Sequence, residues 1–314
     1  MAGQICLDLL RGVLSGFFCK YGDIPKKRKM KMAIFTNQAN LIFNGQTTSS
    51  NITTGEVTSG LEITKTSISN DYGKDDHVAY IVTITNAGSA ITGATLTDNL
   101  GAYTVDLNTF TPFTYVPGSL LYYQNGALTT GPVAAGGPPL TITGIDIPAG
   151  GNVQLIYEVA TNEFTPSMAG ASVTNTATIT GEGVCENLSD TAVVTARDEV
   201  SLTIAKAICP PLVTECGMVT YTLIIQNTGN TPVIATDDLI VNDTFIPILN
   251  PITVTFDGTE WTVDVQYTYN VTTGEFATLP GAVTVPAATY TQDPVTGVFS
   301  LTPGVAVITI TGKV

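Results

Sequence analysis

Histidine and tryptophan each occur once in this chain of 314 residues, and only 12% of its residues are charged. A single histidine excludes His-cluster metal sites and argues against a histidine-driven hydrolase. So little charge excludes a disordered chain, a coiled coil and a helical bundle, which need more charge or more Ala, Glu and Lys. Basic groups number 12 against 26 acidic ones, and a net charge of -14 repels phosphate, so nucleic acid is not an expected partner. No apolar run reaches the ~18 residues of a membrane-spanning helix. No nucleophile elbow, paired-acid motif or phosphate loop is found, so neither an enzyme activity nor a cofactor is expected. What is abundant is apolar and turn-forming: 44% of residues are hydrophobic, with 30 glycines and 17 prolines. The length leaves room for two domains, each with a real core.

The charge is unevenly spread. Residues 1–31 hold seven of the basic groups and two acids, leaving residues 32–314 with five basic and 24 acidic groups, a net charge of -19. The apolar stretch from Ile5 to Cys19 precedes the cluster Lys26-Lys27-Arg28-Lys29, the reverse of a signal peptide. A basic membrane or nucleic-acid tail is one reading. The preferred one is a non-native or miscalled tract, because Lys26 to Lys29 needs the purine-rich codons of a translated ribosome-binding site. The native start is then expected at Met30 or Met32.

From Met32 onward the pattern is β. Alternating runs such as Tyr80-Ile-Val-Thr-Ile-Thr85 and Val307-Ile-Thr-Ile-Thr311 are separated by Asn-Gly, Pro-Gly, Gly-Gly and Asp-Pro turns. No segment sustains a 3.6-residue period, so helices are expected to be minor. Many short strands at this spacing predict sandwiches with Greek-key connections.

The chain also repeats itself. Leu61-Glu-Ile-Thr-Lys65 matches Leu202-Thr-Ile-Ala-Lys206. Tyr80-Ile-Val-Thr-Ile-Thr-Asn86-Ala-Gly88 matches Tyr221-Thr-Leu-Ile-Ile-Gln-Asn227-Thr-Gly229, and Ala94-Thr-Leu96-Thr-Asp98 matches Leu239-Ile-Val241-Asn-Asp243. Offsets of 141, 141 and 145 residues predict two homologous domains, 58–197 and 198–314. In these motifs, with Val173-Thr-Asn175-Thr-Ala177, the chain resembles the tandem surface-protein repeat family called domain of unknown function number eleven. That family occurs in bacterial and archaeal surface proteins, and related repeats occur in chlamydial large cysteine-rich outer-membrane proteins. The resemblance implies tandem Ig-like sandwiches in an extracellular or envelope structure, often an adhesin or stalk, and no enzyme activity.

The second repeat stops early. Its last strand, Pro303 to Gly312, aligns with Pro148 to Tyr157 of the first, which continues through Val173 to Ile179 and a hairpin ending near Thr195. With the sequence ending at Val314, the second repeat is expected to lack that hairpin of its own. Phe35-Thr-Asn37-Gln-Ala39-Asn-Leu41, within residues 32–57, has its sequence. Asn37 lies 28 residues before Lys65, and Asn175 lies 31 before Lys206. The expectation is an N-terminal donor β-hairpin with Phe35, Asn37, Ala39, Leu41 and Phe43 in phase, filling the second repeat of another copy. Folding back is disfavoured, since residues 55–60 span at most ~20 Å and a domain of this size is roughly 35–40 Å across.

Polar residues lie on predicted core faces. Lys65 is in phase with Leu61 and Ile63, Asp98 with Leu96 and Leu100, and Asn175 with Val173, Ala177 and Ile179. Left unpaired in a core they would cost several kcal/mol. Lys, Asp and Asn gathered there are the parts of an intramolecular isopeptide bond, as in other Gram-positive surface domains. Lys206, Asp243 and Asn37 of another copy form the second candidate set. The alternative is a lysine snorkelling to the sandwich edge, a turn aspartate and an asparagine bonded to a bulge.

Lesser candidates remain open. Cys209 and Cys216 flank Pro210-Pro211, as a disulfide or as two thiols, and Cys185 has no evident partner. Asp75-Asp76-His77 and Asp237-Asp238 read as solvated turns rather than calcium ligands. Tyr115 to Tyr123 and Trp261 to Tyr269 read as core-packing strands rather than a glycan platform.

The leading expectation is a structural protein of a bacterial cell or spore surface, with copies of itself as partner. The alternative is a monomeric adhesin holding a host or matrix glycan or protein. Neither a recognisable signal peptide nor a wall-sorting motif is found. A spore-surface protein exposed by mother-cell lysis would need no export.

Overall fold

The computed structural model describes residues 33–57, 60–184 and 187–314, so the tract 1–31 and Cys185 lie outside the described residues. The chain divides into two units between Ser59 and Gly60.

The first unit is a two-stranded ribbon. Ala33–Asn37 pairs antiparallel with Thr53–Val57, and Asn40–Phe43 pairs with Gln46–Ser49. Asn44 and Gly45 close the ribbon with φ of 48° and 77°, the mirror-image turn that the Asn-Gly pair favours. Phe35, Leu41, Ile42 and Phe43 are all more than half exposed. A ribbon of two strands with no third layer has nowhere to bury them.

The second unit contains two β-sandwiches and, among its described residues, no α-helix. In the first sandwich one sheet runs in the order Ala127–Thr129, Leu121–Gln124, Asn152–Thr161, His77–Asn86, Leu61–Ser67. The facing sheet runs Val133–Ala135, Leu140–Ile147, Ile91–Asp98, Ser172–Thr180, Leu188–Ala196, Asp71–Tyr72. Alternation supplies the core: Val78, Tyr80, Val82 and Ile84 of one sheet are fully buried, as are Leu96 and Ile142 of the other. Side chains of the strand Leu61–Ser67 alternate likewise, with Ile63 and Lys65 turned inward.

In the second sandwich the main sheet runs Leu202–Cys209, Met218–Asn227, Gly304–Lys313, Ile252–Phe256, Thr259–Trp261. A smaller sheet holds Asn242–Thr244, Glu275–Thr278 and Tyr267–Tyr269. Val219, Leu223, Ile225, Val254, Ile308 and Phe276 form its core. The fold is thus all-β, with tandem Ig-like β-sandwiches, as the strand spacing and the repeat predict.

The Asn-x-Gly motif has a structural reason in both copies. Asn86 accepts from Gly88 N–H and donates to the carbonyls of Ser89 and Pro148. Asn227 accepts from Gly229 and Ser201 N–H and donates to those of Thr231 and Pro286. Each buried amide ties strand ends together, so its own polar atoms are satisfied. The sandwiches also share a seam. Asn230 donates to the carbonyls of Ser167 and Arg197 and accepts from Glu199 N–H, and Phe299 N–H donates to Glu163 O.

Candidate functional site

Lys65 enters the first core from the strand Leu61–Ser67, and its ammonium pairs with Asp98 Oδ2 in a contact sealed from solvent on both sides. Its Nζ also lies 4.5 Å from the centre of the Tyr80 ring. The strand Ser172–Thr180, with Leu188–Ala196 beside it, closes the cluster from the facing sheet. Ala177 pairs with Asp98 in register. Asp190 of the outer strand accepts the Lys65 backbone N–H at 2.7 Å.

Asn175 completes the group and is fully buried. Its Oδ1 accepts Gly101 N–H at 3.2 Å, and Asp98 Oδ1 accepts Leu100 N–H at 2.8 Å. Both donors come from one turn in which Leu100 and Gly101 have φ of 54° and 73°. The left-handed conformation is costly for leucine and natural for glycine. A Cβ on Gly101 would also overlap Val173 Cγ1. The turn therefore aims two amides inward at the Asp98 and Asn175 side chains.

The electrostatics follow from burial. Desolvation lowers the Lys65 pKa from 10.5 to about 8, against the opposing pull of Asp98 and, more weakly, Asp190. Burial pushes the Tyr80 and Tyr157 hydroxyls up. Tyr157 OH donates to Asp98 Oδ2, the oxygen that also takes Lys65. Tyr80 feels the neighbouring Asn175 amide, but neither Tyr80 OH nor Asn175 Nδ2 makes a hydrogen bond of good geometry.

The second sandwich repeats half of this arrangement. Lys206 Nζ pairs with Asp243 Oδ2 and lies 4.6 Å from the centre of the Tyr221 ring, in the place of Tyr80. The Lys206 side chain is 40% exposed and that of Asp243 17%, where Lys65 and Asp98 are at 0%. The cause is a missing layer. Asn242–Thr244 pairs on one edge with Glu275–Thr278, and among the described residues nothing pairs with its other edge. All eight residues of Leu202–Cys209 are exposed, including Leu202, Ile204 and Ile208. An open cleft of ≈ 1010 Å³ lies beside Asp243, Thr244, Tyr269 and Phe276.

Asn37, the remaining candidate, stands in the N-terminal ribbon opposite Thr53, with Phe35, Ala39, Leu41 and Phe43 along the same run. Cys209 and Cys216 are exposed free cysteines in this structure; Cys209 ends a strand paired to Thr220, while Cys216 occupies a left-handed turn. Asp76 accepts from Arg197 and from Gly73 N–H, and Asp237 accepts Ile234 N–H, which gives both acids turn-fixing contacts. Trp261 to Tyr269 is not one strand, since Thr259–Trp261 and Tyr267–Tyr269 are separated by a loop; Trp261 stacks on Phe256 at 5.0 Å. Among the described residues, no helix is long and apolar enough to cross a membrane.

Sequence reasoning missed Tyr157, Gly101 and Asp190. Tyr157 had a usable signal, a polar-tipped residue in phase with Val153, Leu155 and Val159. Its counterpart is Ile310, which pairs with Tyr221 as Tyr157 pairs with Tyr80.

No protein-family model matches the sequence, and no curated protein matches it. Among solved structures the chain is similar to BcpA, the major pilin subunit of Bacillus cereus, at 12% identity. That match covers 86% of this chain and 73% of the pilin, with a TM-score of 0.34. It is similar to the full-length major pilin SpaD of Corynebacterium diphtheriae at 11% identity, over 87% of this chain and 70% of that one, with a TM-score of 0.33. A family 123 glycoside hydrolase from Clostridium perfringens matches 44% of the chain at 7% identity, with a TM-score of 0.28, and the chain spans 27% of that enzyme's length. At these identities the likenesses are of fold alone.

Proposed function

We propose that this chain is a self-assembling structural protein of a bacterial cell or spore surface. In this reading the hairpin Phe35 to Thr54 of one copy completes the second sandwich of the next. The observation that carries the reading is the contrast between the two sandwiches. Where the first has Ser172–Thr180 and Leu188–Ala196 over its lysine strand, the second has, among the described residues, an open face, an unpaired strand edge and exposed Leu202, Ile204 and Ile208. Such an edge invites strand addition. The N-terminal ribbon has matching residues: Phe35, Asn37, Ala39 and Leu41 fall where Val173, Asn175, Ala177 and Ile179 stand in the first sandwich. Ribbon and face both expose apolar side chains, and seating one on the other buries both.

The surface location is supported by the resemblance to tandem surface-protein repeats, and the role is structural rather than catalytic. Seated in this register, Asn37 of one copy meets Lys206 and Asp243 of the next and supplies the amide that the second sandwich lacks. The joint then becomes open to the same chemistry as the first core.

The test compares the full chain with a deletion of residues 1–55, by electron microscopy and by gels of boiled, denatured samples. Filaments are expected from the full chain and monomers from the deletion. A monomeric full-length protein, or filaments that persist in the deletion, would end the proposal; the former leaves the adhesin alternative. Asn37→Ala is expected to keep filaments in the microscope while losing any boiling-resistant ladder.

A further inference from the structure

We propose that the first sandwich carries a self-made amide bond between Lys65 Nζ and Asn175 Cγ, with Asp98 as proton carrier. This inference stands apart from strand donation, since every participant lies in one sandwich. Three observations converge on it. The three side chains are buried together, and the Lys65 and Asp98 charges are sealed from solvent. Asn175 is held through Oδ1 by Gly101 N–H, whereas its Nδ2, beside the Tyr80 hydroxyl, makes no hydrogen bond of good geometry. The amide is thus held at the oxygen that must take up charge and only loosely at the nitrogen that must depart. Lys65 Nζ is confined between Asp98 and the face of Tyr80, with nowhere to extend toward water.

The chemistry balances within the cluster. In the ion pair, Lys65 passes one proton to Asp98 Oδ2 and becomes a neutral amine, which burial favours. The amine lone pair attacks Asn175 Cγ; the Nζ–Cγ bond forms and the carbonyl electrons move to Oδ1. Gly101 N–H stabilises the charge there. Asp98 gives its proton to Nδ2, the Cγ–Nδ2 bond breaks, and ammonia leaves. The second proton lost by Nζ returns to Asp98, which ends neutral. One amine and one primary amide become one secondary amide and ammonia, with no oxidant or reductant. The change also removes two opposite charges from an apolar core, where keeping them ionised is costly.

The test is a tryptic digest of the full chain with intact mass alongside. Trypsin cannot cut after an acylated Lys65, so residues 32–74 are expected as one peptide, covalently joined to residues 75–197. The intact mass is expected to fall by one ammonia. The digest is needed because Asn44-Gly45 and Asn125-Gly126 can also lose ammonia by closing on their own backbone. Free peptides 32–65 and 66–74 would overturn the proposal, whatever the intact mass. Asp98→Asn keeps the shape of the side chain but cannot carry the protons. It is expected to yield only the free peptides, and a linked peptide in that variant would refute the role of Asp98.

Discussion

The two sandwiches place the same lysine–aspartate pair, against the same tyrosine ring, in two different solvents. In the first, a hairpin from the facing sheet roofs the pair, adds Asn175 and brings Asp190 to the Lys65 backbone. In the second, among the described residues, nothing roofs the pair, the lysine is 40% exposed and no counterpart of Asn175 faces it. The strand alone does not decide whether its lysine is buried, since Leu61–Ser67 and Leu202–Cys209 both alternate in sequence and differ only in what covers them. What the first sandwich carries in its own chain, the second lacks among the described residues.

The largest expected effect comes from erasing that difference. The ten residues 162–171 bridge the strand Asn152–Thr161 and the roofing strand Ser172–Thr180. Adding a linker of similar length after Val314, followed by a copy of residues 33–57, gives the second sandwich a roof of its own. High effective concentration should let the tethered copy outcompete a neighbour's. The fusion is expected to stay monomeric, with the second sandwich melting roughly 5–10 °C higher, as about 2 kcal/mol gives at this domain size. Light scattering and differential scanning calorimetry check both outcomes.

A smaller effect separates the two lysines. Lys65→Ala leaves Asp98 and Asn175 buried without their partner and is expected to cost the first sandwich about 3–5 kcal/mol. Lys206→Ala touches an exposed pair in the open face and should cost below about 1 kcal/mol. Denaturant titrations measure both, and equal costs would dissolve the contrast between the two lysines.

The smallest effect is one of pH. In Asn175→Ala, Lys65 stays an amine, held near 8 by burial and faced by Asp98, Asp190, Tyr80 and Tyr157. Between pH 8 and 10 the unfolded chain, whose lysine keeps the ordinary 10.5, binds more protons than the folded one. Stability therefore rises with pH in that window, by at most about 1.4 kcal/mol per unit. Above pH 10 the sign reverses, because Tyr72, Tyr80 and Tyr157 keep their protons longer folded than unfolded. If Lys65 is acylated in the wild type, as proposed, the rise between 8 and 10 is expected to vanish there, which melting curves across pH will read.

Much of this is legible in the sequence. Strand phase alone pointed Lys65, Asp98 and Asn175 inward, and the repeat exposed the lysine–aspartate pair twice. Tyr157, Gly101 and Asp190 were not legible, because their roles depend on which strands become neighbours across the sandwich, and phase says only which face a residue takes.

The position of Lys65 and Asn175 along the chain has a mechanical consequence. Lys65 lies in the opening strand of its sandwich and Asn175 near its close, so an amide between them short-circuits the fold. Tension applied at the two ends of the sandwich would pass through that bond, and residues 66–174 would carry none of it. If Asn37 is joined in the same way to Lys206 of a neighbour, the covalent path through each copy reduces to residues 37–65 and 175–206. A stretched filament would then be a line of short backbone segments, with the bodies of both sandwiches hanging slack beside the line of force.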